Sequence, residues 1–226
     1  MAKILVIDDE ETIRYAFESF FSDEGHMVIT SESCEQAMEV LAEQDFDLVF
    51  TDIILGGKTG IEILRSVRER RPDCPVVMIT GQPNLETASQ AVRLGAFDYI
   101  AKPVRQKTLL DVADRALKHK ALAEQKDRNR SHLEAIFRSV KDAIITVDGN
   151  LIVTDVNVAA GEICGLSRDA VGKPFASLQR QFGADCLELL NKTVTEGKTF
   201  GAERVECRPE GRAKHVVTIV ASPLLD

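Results

Sequence analysis

The chain has 226 residues, 44% hydrophobic and 28% charged, which suits one large or two ordinary globular domains and excludes disorder and low complexity. Its net charge of −8 argues against a protein that coats nucleic acid, and zero Trp with only two Tyr removes the usual stacking platforms for bases or sugars. No window approaches the ~18 apolar residues of a membrane span, the N-terminus reaches Asp8-Asp9 too soon for a signal peptide, and the five cysteines (34, 74, 164, 186, 207) contain no C-x-x-C pair, as expected of reduced thiols in the cytoplasm.

In chain order, residues 3–102 alternate short apolar runs with amphipathic stretches. The runs are Ile4–Ile7, Met27–Ile29, Leu48–Phe50, Val76–Ile79 and Tyr99–Ala101. Most are too continuous for a strand with one wet face, so strands buried on both sides are predicted. Between them, Ile13, Phe17 and Phe20-Phe21, then Ala37, Val40 and Leu41, then Ile61, Leu64 and Val67, then Leu85, Ala88 and Ala91-Val92 recur at helical spacing. Repeated units of this kind predict a parallel sheet with right-handed crossovers and helices on both faces.

Ligands of open α/β sheets bind beyond the carboxyl ends of the strands. The residues predicted there are Asp8-Asp9, Thr51-Asp52, Thr80-Gly81 and Lys102-Pro103. Clustered carboxylates repel one another unless a cation lies among them, and hard oxygen donors suit Mg²⁺. An ammonium and a hydroxyl are the groups needed to hold phosphoryl oxygens, and a carboxylate beside a divalent ion is a plausible nucleophile toward phosphorus. Either Asp-Asp or Thr alone is an ordinary helix cap or strand end. Their convergence at one sheet edge is what points to chemistry.

These positions, with Gly95-Ala96-Phe97-Asp98-Tyr99 before the lysine, resemble the receiver domain of two-component response regulators over residues 1–120. The resemblance implies a flavodoxin-like, doubly wound, five-stranded parallel α/β sheet. It implies that Asp52 accepts a phosphoryl group from a histidine kinase, and that Mg²⁺ is bound by Asp9 directly, by Asp8, by Asp52 and by the Ile54 backbone carbonyl. It also makes Thr80 and Tyr99 a switch pair and Lys102 the phosphoryl-oxygen ligand, and it implies a cis bond before Pro103. The loop after Asp52 departs from the family in carrying Gly56-Gly57 where a proline is usual. Gly57-Lys58-Thr59 is not a P-loop, because the glycine required five residues earlier is Asp52.

Residues 1–118 hold 13 Lys and Arg against 21 Asp and Glu, whereas 119–141 hold 6 against 3. This basic stretch marks a linker, assigned to 121–140. No Gly or Pro occurs from Arg105 to Lys141, so the fifth helix is predicted to run on past the first domain. Leu122, Leu133, Ile136 and Val140 suggest a dimeric coiled coil, interrupted by polar residues at 126 and 130. His132 lacks the acidic neighbour and the Arg/Lys-x-Pro of a kinase phosphoacceptor.

From Asp142 two short strands surround an Asp148-Gly149-Asn150 turn. Short helices follow, with an N-cap expected at Ser167, then a helix at 184–195 and two strands around Gly201–Arg208 and Lys214–Ser222, turning at Pro209-Glu210-Gly211. This order, with Val156-Asn157-Val158-Ala159-Ala160 and Gly165–Pro174, resembles an α+β PAS domain with an antiparallel sheet over residues 132–226. The reactive cysteine of a flavin photosensor and an axial histidine in the helical part for haem are both missing, which leaves any PAS ligand unknown. The family normally adds a fifth strand, so the chain is expected to be a fragment cut before it.

The expected protein is a cytoplasmic phosphorelay component that passes a signal from Asp52 through the linker and PAS module to a missing output. The resemblance is closest to regulators that activate sigma-54 promoters. The expected partners are a cognate histidine kinase and a second copy, bound through the receiver face and linker helix, with no membrane or direct nucleic-acid contact. The alternatives are part of a hybrid histidine kinase or a scaffold that ends near here.

Overall fold

Alternate residues of each central strand serve two different hydrophobic cores, which explains why the strands read as unbroken apolar runs. The computed structural model describes residues 1–56, 58–166, 168–178, 184–207 and 215–224. It divides into two compact units, Met1–Arg128 and Asn129–Asp226.

In the first unit the elements are β1 (Lys3–Ile7), α1 (Glu11–Asp23), β2 (Met27–Ser31), α2 (Cys34–Glu43), β3 (Leu48–Asp52), a small ribbon of β4 (Ile54–Leu55) and β5 (Lys58–Thr59), α3 (Gly60–Arg70), β6 (Val76–Thr80), α4 (Leu85–Arg93), β7 (Asp98–Ala101) and the start of α5 (Gln106–Ser139), which runs on past Arg128. The five main strands are parallel in the order β2-β1-β3-β6-β7. Leu5, Ile7, Val49, Val76 and Met78 pack with Ala37, Ile63, Leu64 and Val67 on one face. Ile4, Val6, Leu48, Phe50, Val77 and Ile79 pack with Phe17, Phe21, Leu109 and Val112 on the other. Phe21 stacks on Phe50 at 5.2 Å, and Phe17 meets both rings edge-on. Burial of each such ring stabilises the fold by about 2–3 kcal/mol.

Helix starts follow local capping chemistry. Ser33 Oγ accepts from Gln36 N–H at 3.2 Å, and Asn84 Oδ1 accepts from Thr87 N–H at 2.8 Å. The predicted long helix is present: α5 runs unbroken for 34 residues. The β4–β5 ribbon was not foreseen. It turns at Gly56, whose φ of +50° suits glycine.

The second unit contains β8 (Ile145–Val147), β9 (Val153–Val156), α6 (Val158–Cys164), α7 (Ala184–Glu196), β10 (Phe200–Cys207) and β11 (His215–Ala221). β8–β9 and β10–β11 are antiparallel pairs. Val153, Val156, Ala160, Cys164, Leu166, Phe175, Cys186 and Val205 form their shared core. These strand pairs and helices fit the PAS-like organisation. Asp148 Oδ1 accepts from Asn150 and Ile152 N–H and closes the first hairpin. The expected cap at Ser167 and the turn at 209–211 lie outside the described residues; Arg168–Ala170 forms a 3₁₀ turn. Among the described residues no helix is long and apolar enough to cross a membrane.

Candidate functional site

The sheet order places the site. β1 has β2 on one side and β3 on the other, so the crossovers leave β1 and β3 in opposite directions and open a crevice beyond their carboxyl ends. Asp8 follows β1, Asp52 ends β3, Thr80 ends β6, and Lys102 follows β7. Asp8, Asp52 and Thr80 are buried.

Lys102 holds the carboxylates together. Its Nζ lies 2.6 Å from Asp52 Oδ2, 2.8 Å from Asp8 Oδ2 and 2.8 Å from Glu10 Oε1. Burial alone would lower the ammonium's pKa, but the bonds to Asp52, Asp8 and Glu10 outweigh it and hold the pKa well above the ordinary lysine range. The remaining Asp52 oxygen, Oδ1, accepts from Ile54 N–H at 3.0 Å.

Asp8 is in the opposite position. Burial pushes its carboxyl above the usual carboxylate range despite Lys102 and the Glu10 N–H, which donates to Oδ1 at 3.0 Å. Asp8 Oδ2 is ion-paired with Lys102 Nζ at 2.8 Å, and this buried oxygen has no further hydrogen-bond partner among the described residues. Carboxylate oxygens of Asp8, Glu10 and Asp52 all lie within 4.8 Å of one another. A buried, unsatisfied oxygen among clustered carboxylates suits a hard divalent cation, so the donor set is compatible with a metal site.

Of the residues singled out in the sequence, Asp8, Asp52 and Lys102 are in direct contact. Asp9 is exposed and stands outside the cluster, while Glu10, which the sequence reading passed over, joins it. Arg14 was also missed. Its guanidinium donates to the Asp8 and Asp9 carbonyl oxygens at 2.8 and 3.0 Å and so sets the course of the acidic loop. The only sequence signal for it was its position one helical turn beyond the acids. The Ile54 backbone neighbours the site through its N–H, and its side chain is exposed.

Thr80 Oγ1 accepts from Gln82 N–H at 3.1 Å, and Lys102 N–H donates to the Thr80 carbonyl at 2.7 Å. The Lys102–Pro103 peptide is cis. The Tyr99 hydroxyl is bonded to Thr87 Oγ1 at 3.0 Å, and Thr87 is itself tied to Asn84, the cap of α4. The ring is therefore hydrogen-bonded to the first turn of α4.

Residues 4–114 match the model of the response regulator receiver domain, and 131–222 match the PAS fold. The chain is similar to the alginate biosynthesis transcriptional regulatory protein AlgB of Pseudomonas putida, with 28% identity over 216 residues, covering 89% of this chain and 47% of that regulator. It thus spans about half the length of that relative. A solved response regulator receiver domain from Clostridium thermocellum is 34% identical with a TM-score of 0.52, covering 54% of this chain and 99% of that one. The beryllofluoride-activated NtrC4 receiver domain dimer is 27% identical with a TM-score of 0.51, covering 53% of this chain and 99% of that one.

Proposed function

Because the chain belongs to the response regulator family, carrying a receiver domain and a PAS fold, we propose that it is a switch in which Asp52 accepts a phosphoryl group from a sensor histidine kinase. The observation that carries this is the Lys102–Asp52 contact of 2.6 Å at the sheet's carboxyl edge, beside the buried Asp8. An Asp52 oxygen forms the new O–P bond as the P–N bond of the donor phosphohistidine breaks. The imidazole leaves with that electron pair and takes up a proton.

Mg²⁺ is the proposed metal, held by Asp8, Asp9, Asp52 and the Ile54 carbonyl, with Glu10 as a further candidate; when bound it offsets negative charge on the phosphoryl oxygens. Lys102 stays within reach of Asp52 and supplies a fixed positive charge. Phosphorylation adds about two negative charges at Asp52. Thr80 would then give up its bond from Gln82 to donate to a phosphoryl oxygen, and Tyr99 would leave Thr87 for the space vacated. That exchange changes the face made by α4, β7 and α5.

The relay continues along α5 to the PAS module and on to an output, proposed to be transcription regulation of the sigma-54-activating kind. The domain limits proposed are 1–120, 121–140 and 132–226. The similarity to a transcriptional regulator over 89% of the chain favours this output over a hybrid kinase. A homodimer through the receiver face and linker helix is supported by the exposed Leu85, Val92, Leu122, Leu133 and Ile136 and by the similarity to a receiver dimer. The proposed location is the cytoplasm.

The test is labelling of the chain with acetyl phosphate and Mg²⁺. Wild type should gain one phosphoryl group and Asp52→Asn none. Undiminished labelling of the variant would exclude Asp52 as the acceptor.

A further inference from the structure

Asn157 is 3% exposed and uses every hydrogen-bonding site of its side chain. Its Nδ2 donates to the carbonyls of Val140 at 3.2 Å and Asp142 at 2.9 Å. Its Oδ1 accepts from Ile144 N–H at 2.9 Å and from Ala160 N–H at 2.9 Å. Its own backbone N–H donates to the Ile144 carbonyl at 3.1 Å. An amide offers two donors and two acceptor positions, so no capacity is left over.

These partners are not one local turn. Val140 N–H still bonds the Ile136 carbonyl, so Val140 belongs to the frayed end of α5, where carbonyls lack helical partners. Asp142 and Ile144 form the path from that end into β8. Ala160 lies in the first turn of α6 and is fully buried in the core of the second unit. One side chain thus closes the end of one helix with its nitrogen and opens another with its oxygen.

We infer that Asn157 is a positioning residue, the joint that couples the end of α5 to the PAS core through α6. The inference deepens the relay reading above and rests on it for its purpose. A residue needed only to start α6 would have to accept hydrogen bonds and nothing more. Asp, Ser and Asn serve almost equally in that role. The two donor bonds are the part that capping does not require, and only an amide supplies them together with the cap. A displacement of the α5 terminus is then transmitted as a pull on Asn157, whose backbone begins the helix that carries Ala160 and Cys164 into the core.

Asn157→Asp separates the two functions. The carboxylate keeps the cap and the bond from Ile144 N–H, but cannot donate to Val140 and Asp142 and instead repels their carbonyl oxygens. Asn157→Ser, which also caps but is too short to reach both carbonyls, provides an independent second variant. Hydrogen exchange of the full chain, read segment by segment without ligands, should show residues 137–142 exchanging at least about fivefold faster in both variants while residues 160–164 keep wild-type protection. Unchanged exchange at 137–142 overturns the inference. So does protection lost equally from β9 and α6, because the two functions would then be inseparable.

With Mg²⁺ and beryllium fluoride, wild type should change exchange both at 84–101 and at 158–164, and Asn157→Asp only at 84–101. An α6 response that persists in the variant overturns the joint. A wild type that responds at 84–101 but not at 158–164 defeats the relay reading instead, and the ligand-free comparison still decides whether Asn157 couples the two helices.

Discussion

Lys102 Nζ and Asp52 Oδ2 lie 2.6 Å apart although 50 residues separate them in the chain. The same ammonium reaches Asp8 and Glu10, so one cation neutralises an acidic crevice that would otherwise repel itself. The pairing also links the carboxyl ends of β1, β3 and β7, and it places a largely buried positive charge beside the proposed phosphoacceptor.

Lys102→Met keeps most of the side chain's length and removes the charge. With Asp8 and Asp52 left buried and unpaired, the variant should lose about 3 kcal/mol at pH 7 in urea titrations without metal. The loss should shrink toward pH 4, because the Asp8 carboxyl, raised by burial, takes up a proton in the folded state first. Millimolar Mg²⁺ should recover part of it by binding the folded form. A variant as stable as wild type at pH 7 in EDTA would show that the pairing is not needed to hold the crevice.

Gly60 begins α3 against the backbone of Asp52, the proposed phosphoacceptor. A Cβ at this position would lie 2.0 Å from the Asp52 carbonyl oxygen and 2.8 Å from Thr51 Oγ1. The obstacle is backbone, which cannot swing aside as a side-chain tip can. Gly60→Ala should cost at least about 3 kcal/mol, and in the folded fraction the labelling rate with acetyl phosphate should fall as Asp52 is displaced. Wild-type stability and labelling together would show that the β3–α3 contact is looser than described.

Asp47 and Lys120 tie α5 to the start of β3. Lys120 Nζ is 2.5 Å from Asp47 Oδ1, and Asp47 Oδ2 accepts from Lys3 N–H at 2.8 Å. Burial pushes the Asp47 carboxyl up, but Lys120 and the Lys3 amide prevail and hold it below the usual range. Burial likewise lowers Lys120, and Asp47 raises it above its usual range by more. A depressed carboxyl stabilises the fold above its unfolded pKa of about 3.9, and the benefit is lost as pH falls through the lower folded value. A raised lysine contributes below about 10.4 and loses its contribution as pH climbs through the folded value. Lys120→Met should therefore cost up to about 1 kcal/mol between pH 5 and 9, a figure limited by the partial exposure of Asp47. The difference from wild type should fade below pH 4 and above pH 11 in urea midpoints. A difference that stays constant across the whole range would assign the cost to packing of the lysine stem rather than to charge.

Much of the molecule was determined by local rules that a sequence displays. Ile4–Ile7, Leu48–Phe50 and Val76–Ile79 had to be doubly buried strands because they lack a polar face, and the two cores confirm it. Asp52 and Lys102 fall at strand ends, where chain order and the crossover rule alone bring them to one edge. The length of α5 followed from the absence of Gly and Pro between Arg105 and Lys141. The tertiary structure decided the rest. Three consecutive acids leave β1 in a loop with no periodicity to say which way each points; Arg14, gripping the Asp8 and Asp9 carbonyls, sets the course of the loop that brings Asp8 and Glu10 to the crevice while Asp9 is exposed. Thr87 is unremarkable until Tyr99 arrives from β7. Asn157 stood in the sequence only as part of the Val156–Ala160 run; the structure makes it the cap of α6, and its two donor bonds exist because the end of α5 folds back to within 3.2 Å of it. A hydrogen bond needs direction as well as distance, and direction between segments far apart in the chain is set only when the chain has packed.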